Sequence, residues 1–312
     1  MLGLAVFLAA SPVAGQPVVG GCVKEASSLP SISCTANDVA LTDIVAGSLV
    51  ILDDGCTSTS DTVTFIAQGI YELTTQERFD IGTFISTDGD PNGDGAQTGQ
   101  CVRDILATTP NPPYVSLDGD KCGDIDAAHS PLTQPATSPL GAGACSNNSN
   151  LICLSDADCG AGNTCVGLGI TISCGKDANH DGKVDVDHCE TWNQPGANIV
   201  CSSAADVKAG SPSKCNCGQL PGACIAFPDD NPCTRDVCQG TCSNDPLKTC
   251  EANVDCDGGT CQDIKVVHIP TPGEPCGDPD PSGVCDNPDI CLENGECSSN
   301  PKPSTTICRA SA

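Results

Sequence analysis

Between Cys22 and about Pro139 the apolar positions alternate with polar ones over short stretches. Thr62-Val63-Thr64-Phe65-Ile66 and Phe79-Asp80-Ile81-Gly82-Thr83-Phe84 are the cleanest cases. Successive side chains on a strand point to opposite faces, so a period of two places one set inside and the other outside. The pattern predicts strands over residues 39–44, 48–52, 62–73 and 78–86. Each is rich in Val, Ile, Thr or Phe, and Asp, Gly and Ser turns separate them. A helix is a poor alternative, because β-branched residues and glycine dominate these stretches.

The same period appears at the amino terminus, where Leu2, Leu4, Val6 and Leu8 alternate with Gly3, Ala5, Phe7 and Ala9. Two readings stand side by side for residues 1–21. In the first, the run from Leu2 to Ala10 and the small residues at Ala14-Gly15 make a secretory signal peptide, although no Lys or Arg precedes the run. In the second, the segment is a donor strand that enters a groove on a neighbouring copy, gaining ladder hydrogen bonds and side-chain pockets together. Leu2, Leu4, Val6 and Leu8 would then be the assembly residues. The segment is too short to span a bilayer.

Past residue 133 the composition turns to Pro, Thr, Ala and Gly, which reads as a loop over 133–143. A cysteine module follows: Cys145-x7-Cys153-x5-Cys159-x5-Cys165. It returns as Cys242-x7-Cys250-x5-Cys256-x4-Cys261. Both copies open Cys-Ser-Asn, carry Asp-Cys at the third cysteine and close on Thr-Cys, so they form an internal repeat. Strand-like residues 169–173 follow the first copy, which reads as an insertion at about 141–168 in a β-sandwich spanning 22–223. From 224 to 312 only 264–269 looks like strand, and the rest is expected to be a disulfide-rich arm with little regular structure. Units this small bury too little apolar surface to offset chain entropy without cross-links. The expected fold class is therefore all-β.

Composition supports cross-links over a large core. The chain has 26 cysteines in 312 residues, only 3% aromatics, one Met and one Trp. Zinc sites need paired Cys-x2–4-Cys or His-x3–5-His spacings. Here the tightest pair is Cys215-Asn-Cys217, the commonest intervals are longer, and His129, His180, His188 and His268 are scattered with no His-x3–5-His pair. Disulfides are expected, and with them an oxidising, extracellular or cell-surface location. The net charge of -27 rules out a nucleic-acid partner and an anionic membrane surface for the mature form.

The acids are 32 Asp against 8 Glu, a choice that suits turns and oxygen-ligand loops better than helical faces. Asp177-Ala-Asn179-His-Asp181-Gly182-Lys183-Val184-Asp185 places oxygens at positions 1, 3, 5 and 9, a tight-turn glycine at 6 and a main-chain carbonyl at 7. That is the spacing of a calcium loop, and it resembles the EF-hand and dockerin loops. It departs from them at position 12, where His188 replaces an acid that Asp187 or Glu190 would have to supply, and no flanking helix pair is evident. Asp88, Asp90, Asn92 and Asp94 form a second candidate on one tight turn. Asp118, Asp120, Asp124 and Asp126 form a third, without a fixed motif. Calcium is the expected cofactor for all three. The alternative for each is ordinary Asp-Gly turn chemistry.

No His-Glu-x-x-His, Gly-x-Ser-x-Gly or phosphate-binding Gly-rich loop is present, so no catalytic residue is assigned and the chain is not read as an enzyme. A glycosidase carboxylate pair could hide among so many aspartates, but a sugar cleft would need more aromatics than this.

The stretches Cys34-Thr-Ala-Asn-Asp-Val, Leu52-Asp-Asp-Gly-Cys56, Phe79-Asp-Ile-Gly, Cys122-Gly-Asp-Ile, Gln194-Pro-Gly-Ala-Asn198 and Pro212-Ser-Lys-Cys-Asn-Cys217 resemble a domain of exported, cysteine-rich, calcium-loop proteins of environmental proteobacteria. The part from Asp230 resembles the arrays that accompany it. In plan the chain is also similar to protomers of extracellular helical fibrils from natural water samples, in which a neighbour's terminal strand completes the sandwich. The resemblance implies a structural subunit of an extracellular filament or surface assembly, with copies of itself as partners. The alternative is a monomeric, secreted, calcium-dependent adhesin that holds a glycan.

Overall fold

The computed structural model describes residues 17–29, 31–74, 76–89, 95–106, 114–126, 136–197, 199–220, 223–251, 253–276 and 286–301. The chain is all-β and divides into two compact units. The first takes Met1–Asp53, Val63–Ile172 and Asp185–Ala223, and the second Asp54–Thr62, Ser173–Val184 and Cys224–Ala312.

In the first unit the elements are, in order, β1 (Val18–Gly21), α1 (Val23–Ser27), β2 (Val39–Ile44), β3 (Val50–Ile51), β4 (Thr62–Leu73) and β5 (Phe79–Ser86). Then come β6 (Gln100–Ile105), β7 (Tyr114–Val115), β8 (Asp124–Ile125), β9 (Ala136–Leu140), β10 (Gly143–Cys145) and β11 (Asn148–Cys153). Strands β12 (Cys165–Val166), β13 (Ile170–Ser173), β14 (Asp187–Asn193) and β15 (Cys215–Gln219) complete it. One sandwich sheet has the order β1-β6-β5-β14-β15, antiparallel throughout. The other is built on the long strand β4, against which β2, β3, β9 and β13 all pair.

The alternation read from sequence sets how β4 sits. Val63, Phe65, Ala67, Tyr71 and Leu73 are buried, whereas Thr64, Gln68, Ile70 and Glu72 are half-buried. Tyr71 reaches across to the other sheet, where its hydroxyl and that of Thr83 on β5 lie 2.6 Å apart. Strand β5 differs, because every residue after Phe79 is buried. One face meets β4; the other lies under Cys22, Val23, Ala204 and Val207, which pack with Phe84 in a second cluster. Both faces being covered accounts for the near-continuous apolar run of this strand.

The segment 133–143, read as a loop, contributes β9, paired from Tyr71↔Ala136 to Ala67↔Leu140. Pro139 concealed it. A proline cannot donate to a ladder, but a short strand on the flank of a sheet tolerates one.

The second unit corrects the expectation of little regular structure. It holds β16 (Thr234–Cys242), β17 (Asp245–Cys250), β18 (Cys261–Pro270), β19 (Asp286–Cys291) and β20 (Cys297–Pro301). Strands β17-β16-β18 form an antiparallel sheet, and β19 and β20 a hairpin. The β16–β18 ladder runs from Thr234↔Pro270 to Cys242↔Cys261. Backbone pairing and bridges, with little apolar surface, hold this unit, which is why hydrophobic alternation does not reveal it.

Every cysteine among the described residues is in a disulfide. The first unit has Cys22–Cys101, Cys34–Cys215, Cys122–Cys201, Cys145–Cys159, Cys153–Cys165 and Cys189–Cys217. The second has Cys56–Cys174, Cys224–Cys238, Cys233–Cys291, Cys242–Cys256, Cys250–Cys261 and Cys276–Cys297. Cys285 and Cys308 lie outside the described residues.

The repeat is structural as well as sequential. In both copies the first cysteine pairs with the third and the second with the fourth. Each copy is a β-hairpin followed by a 3-10 turn and a returning strand: β10, β11 and β12 in one, and β16, β17 and β18 in the other. The shared Cys-Ser-Asn has a job in each. Asn147 and Asn244 donate from Nδ2 to the carbonyls of Cys159 and Cys256 (3.4 and 2.6 Å). Ser146 and Ser243 accept from the amides of Thr164 and Thr260 (3.0 and 2.9 Å).

A shared glycine two residues before each first cysteine completes the motif. A Cβ on Gly240 would stand 2.4 Å from the Gln262 carbonyl, and one on Gly143 would stand 2.8 Å from that of Val166. Backbone cannot swing aside as a side-chain tip can. Gly240→Ala is therefore expected to lower stability by about 1–3 kcal/mol, read as a fall in melting temperature with all disulfides intact.

Candidate metal centre

The 177–183 loop belongs to the second unit. Its exit is laddered: Phe227 N donates to Gly182 O and Val184 N to Ile225 O, both at 2.8 Å. Gly182 has φ +81° and His180 φ +59°, so the chain turns back on itself twice in three residues. Asp177 Oδ1 and Asn179 Oδ1 both accept from the Asp181 amide, at 3.1 and 2.9 Å. Two expected ligand oxygens are thereby gathered around one donor. Asp177 Oδ2 accepts from Gly182 N and Asp181 Oδ1 from Lys183 N, each at 3.0 Å. The donor set is oxygen only, which suits a hard cation. Asp185 belongs to the first unit, and Asp187 opens β14, followed by His188 and Glu190 on the same strand.

Of the second candidate, Asp90, Asn92 and Asp94 lie outside the described residues. Asp88 is committed locally: Oδ1 accepts from Ser86 Oγ (2.9 Å) and Oδ2 from Gln100 N (3.1 Å), which fastens the ends of β5 and β6 together. The assembly residues Leu2, Leu4, Val6 and Leu8 also lie outside the described residues.

The third candidate is the best defined. Asp120 accepts from Cys122 N (3.0 Å) and Cys201 N (2.7 Å), bracing the Cys122–Cys201 bridge from both sides. Asp124 is fully buried and accepts from Asp80 N (2.9 Å) and Leu117 N (2.5 Å). Asp118 Oδ1 accepts from Asp120 N at 3.3 Å. Asp126 follows β8 and is half-buried.

The structure adds Asp80 and Asn193 to this group. Between Thr191↔Gly82 and Asn193↔Phe79 the ladder slips, so that Asp80 and Ile81 oppose Trp192. The bulge puts Asp80 at φ +51° and turns its carboxyl out of the strand pattern. Asn193 Nδ2 donates to Asp80 Oδ2 at 2.8 Å. Asp80 Oδ1 and Asn193 Oδ1 are buried without a donor.

Burial, a carboxyl–carboxyl hydrogen bond with Asp120 and the like charge of Asp120 and Asp118 push the Asp80 pKa up to about 7 against the opposing bond from Asn193. Burial, with the same two neighbours, raises Asp124 to about 6 although two amides favour its charged form. The sequence carried one clue to Asp80: an acid flanked by Phe79 and Ile81 inside an apolar run.

Another buried polar pair lies on β14, where His188 Nδ1 and Glu190 Oε1 are 2.7 Å apart and both side chains are almost wholly enclosed. Burial alone would lower the imidazole pKa, but the charge and hydrogen bond of Glu190, a hydrogen bond to the Gln219 backbone and the charge of Asp187 together outweigh it, and the net direction is up. Trp192 and Tyr71 are fully buried, so neither offers a wall on which a sugar could stack. Among the described residues no helix is long and apolar enough to cross a membrane.

Comparison with protein-family models, curated proteins and solved structures finds no match.

Proposed function

We propose that this chain is a structural subunit of an extracellular filament or surface assembly, joined copy to copy by strand addition and stabilised by disulfides and calcium. The observation that carries the reading is covalent: every described cysteine is bridged, in a chain with few aromatics and a small apolar core. Such a design suits persistence outside the cell. The arrangement of the first sandwich sheet supports strand addition, since β1 is an edge and follows the alternating amino-terminal segment, whereas the edge at β15 is partly covered by the Thr35↔Asn216 bridge. An edge strand offers unpaired amides and carbonyls to an incoming chain.

Deleting residues 1–12 from the mature subunit should leave a folded monomer that no longer polymerises. Sedimentation and electron microscopy, with circular dichroism for the fold, read this directly. Fibres at normal yield from the deletion would refute strand addition, and a full-length protein that stays a monodisperse monomer would favour the adhesin reading. A chelator should lower the melting temperature of the intact protein. An unchanged melting curve would remove calcium from the account.

A further inference from the structure

We propose that the cavity beside the β5 bulge is a calcium site, with the carboxylates of Asp80 and Asp118 and the side-chain carbonyl of Asn193 as its protein ligands. The cavity measures about 80 Å³, and Phe79, Asp80, Asp118, Asn193, Gln194 and Gly196 are among the residues that line it; no basic side chain does. It lies wholly within the first unit, so it is independent of the 177–183 loop and of the filament reading.

The hydrogen-bond inventory carries the inference. Asp120 and Asp124 each already accept a backbone amide on both carboxylate oxygens, so the buried oxygens left with no donor here are those of Asp80 and Asn193. Asp118 has an amide on Oδ1 only among its described bonds. Asp80 is 2% exposed and Asn193 3%, and each keeps one oxygen with no donor. What Asp80 faces instead is more acid, from Asp118 and Asp120. A buried acceptor opposed by acceptors is costly unless something positive stands between them.

The backbone is also held in a sparsely populated conformation at Asp80, which the surrounding ladder enforces. Ile81 N donates to Gly123 O at 3.0 Å, and Leu106 N to Ile81 O at 3.1 Å. Strain of this kind concentrates where it serves binding.

The donor set selects the ion. All available atoms are hard oxygens, and the neighbouring sulfurs of Cys122 and Cys201 are bonded to each other and so are not thiolate ligands. Three protein oxygens fall short of the 6–8 that calcium takes. The cavity has room for waters to supply others, since a water occupies about 30 Å³ of liquid. Magnesium fits less well, because it demands a near-ideal octahedron and sheds its waters reluctantly.

The test uses the full-length, disulfide-intact protein, stripped with a chelator and titrated with CaCl2 at pH 7.5 by calorimetry. Asp80→Asn should bind one Ca2+ fewer than the wild type. Its fold should be retained, since asparagine tolerates positive φ and can still accept from Asn193. Asp118→Asn should weaken one site at least tenfold, and this decides the matter if Asp80→Asn does not fold. Asp177→Asn is the control: combined with Asp80→Asn it should remove two ions, and if it removes none while Asp80→Asn removes one, the 177–183 loop reading fails and this one stands. Equal stoichiometry and affinity in Asp80→Asn, Asp118→Asn and wild type would overturn the proposal and leave a shared proton as the occupant.

Discussion

Removal of the Cys34–Cys215 bridge by paired Cys→Ala substitution is expected to cost the sandwich about 4 kcal/mol, more than removal of a short-range bridge such as Cys145–Cys159. The bridge closes a loop with a sequence separation of 181, and the restraint a cross-link places on the unfolded chain grows with the logarithm of loop length. Cys56–Cys174 and Cys189–Cys217 already shorten that loop, so the effective restraint is that of roughly forty residues, for which the relation gives about 4 kcal/mol. Cys145–Cys159 closes a loop with a separation of only 14, for which the same relation gives about 3 kcal/mol.

Both half-cystines of the long bridge are buried, and alanine leaves no unpaired hydroxyl behind. Since a domain is stable by only about 5–15 kcal/mol in total, the long-range variant should lose a large share of its stability. Denaturant midpoints without reductant, compared between the two paired variants, make the check. A loss below about 1 kcal/mol for the long bridge would mean that packing, rather than cross-linking, holds the sandwich.

The contribution of Asp104 to stability should fall as pH rises from about 4 to about 7 and then level off. Asp104 lies on β6, 2% exposed, and accepts from Ile105 N (2.8 Å) and Gly141 N (2.7 Å). Burial pushes its pKa from 3.8 up to about 7 despite those two bonds. In this window the unfolded chain gives up the proton while the folded chain keeps it. The folded state therefore binds more protons, and stability declines with pH.

Each pKa unit corresponds to about 1.4 kcal/mol, so the full effect is on the order of 4 kcal/mol at most. Asp104→Asn should flatten the profile between pH 4 and 7, while lowering stability throughout because asparagine can satisfy only one of the two amides. An unchanged slope in the variant would show that the carboxyl ionises freely in the fold.

Much of the sandwich is legible in the chain. The alternation at Thr62–Ile66 and at Phe79–Phe84 becomes β4 and β5 because a period of two leaves few other ways to hide those side chains. The cysteine repeat is legible too, but its pairing is not. Connectivity depends on which sulfurs the β10–β11 and β16–β17 hairpins bring together, a fact of register that spacing alone does not fix.

The β16 side of the β16–β18 ladder escapes a hydrophobic reading because Thr234, Arg235, Asp236 and Gln239 carry it by backbone pairing, whereas 264–269 on β18 reads as strand. Asp80 and Asn193 are 113 positions apart and meet only through the slip in the β5–β14 ladder. A motif search sees clusters close in sequence, such as Asp118 and Asp120. It does not see an acid delivered to them by a bulge on another strand.

The most direct measurement is mass spectrometry of the protein unfolded in guanidinium chloride with iodoacetamide and no reductant, so that buried thiols cannot escape labelling. Interlocking covalent rings around a modest interior predict no adduct on any cysteine paired above, with full labelling once reductant is added. Extensive labelling before reduction, from a sample whose spectrum was native beforehand, would contradict that picture.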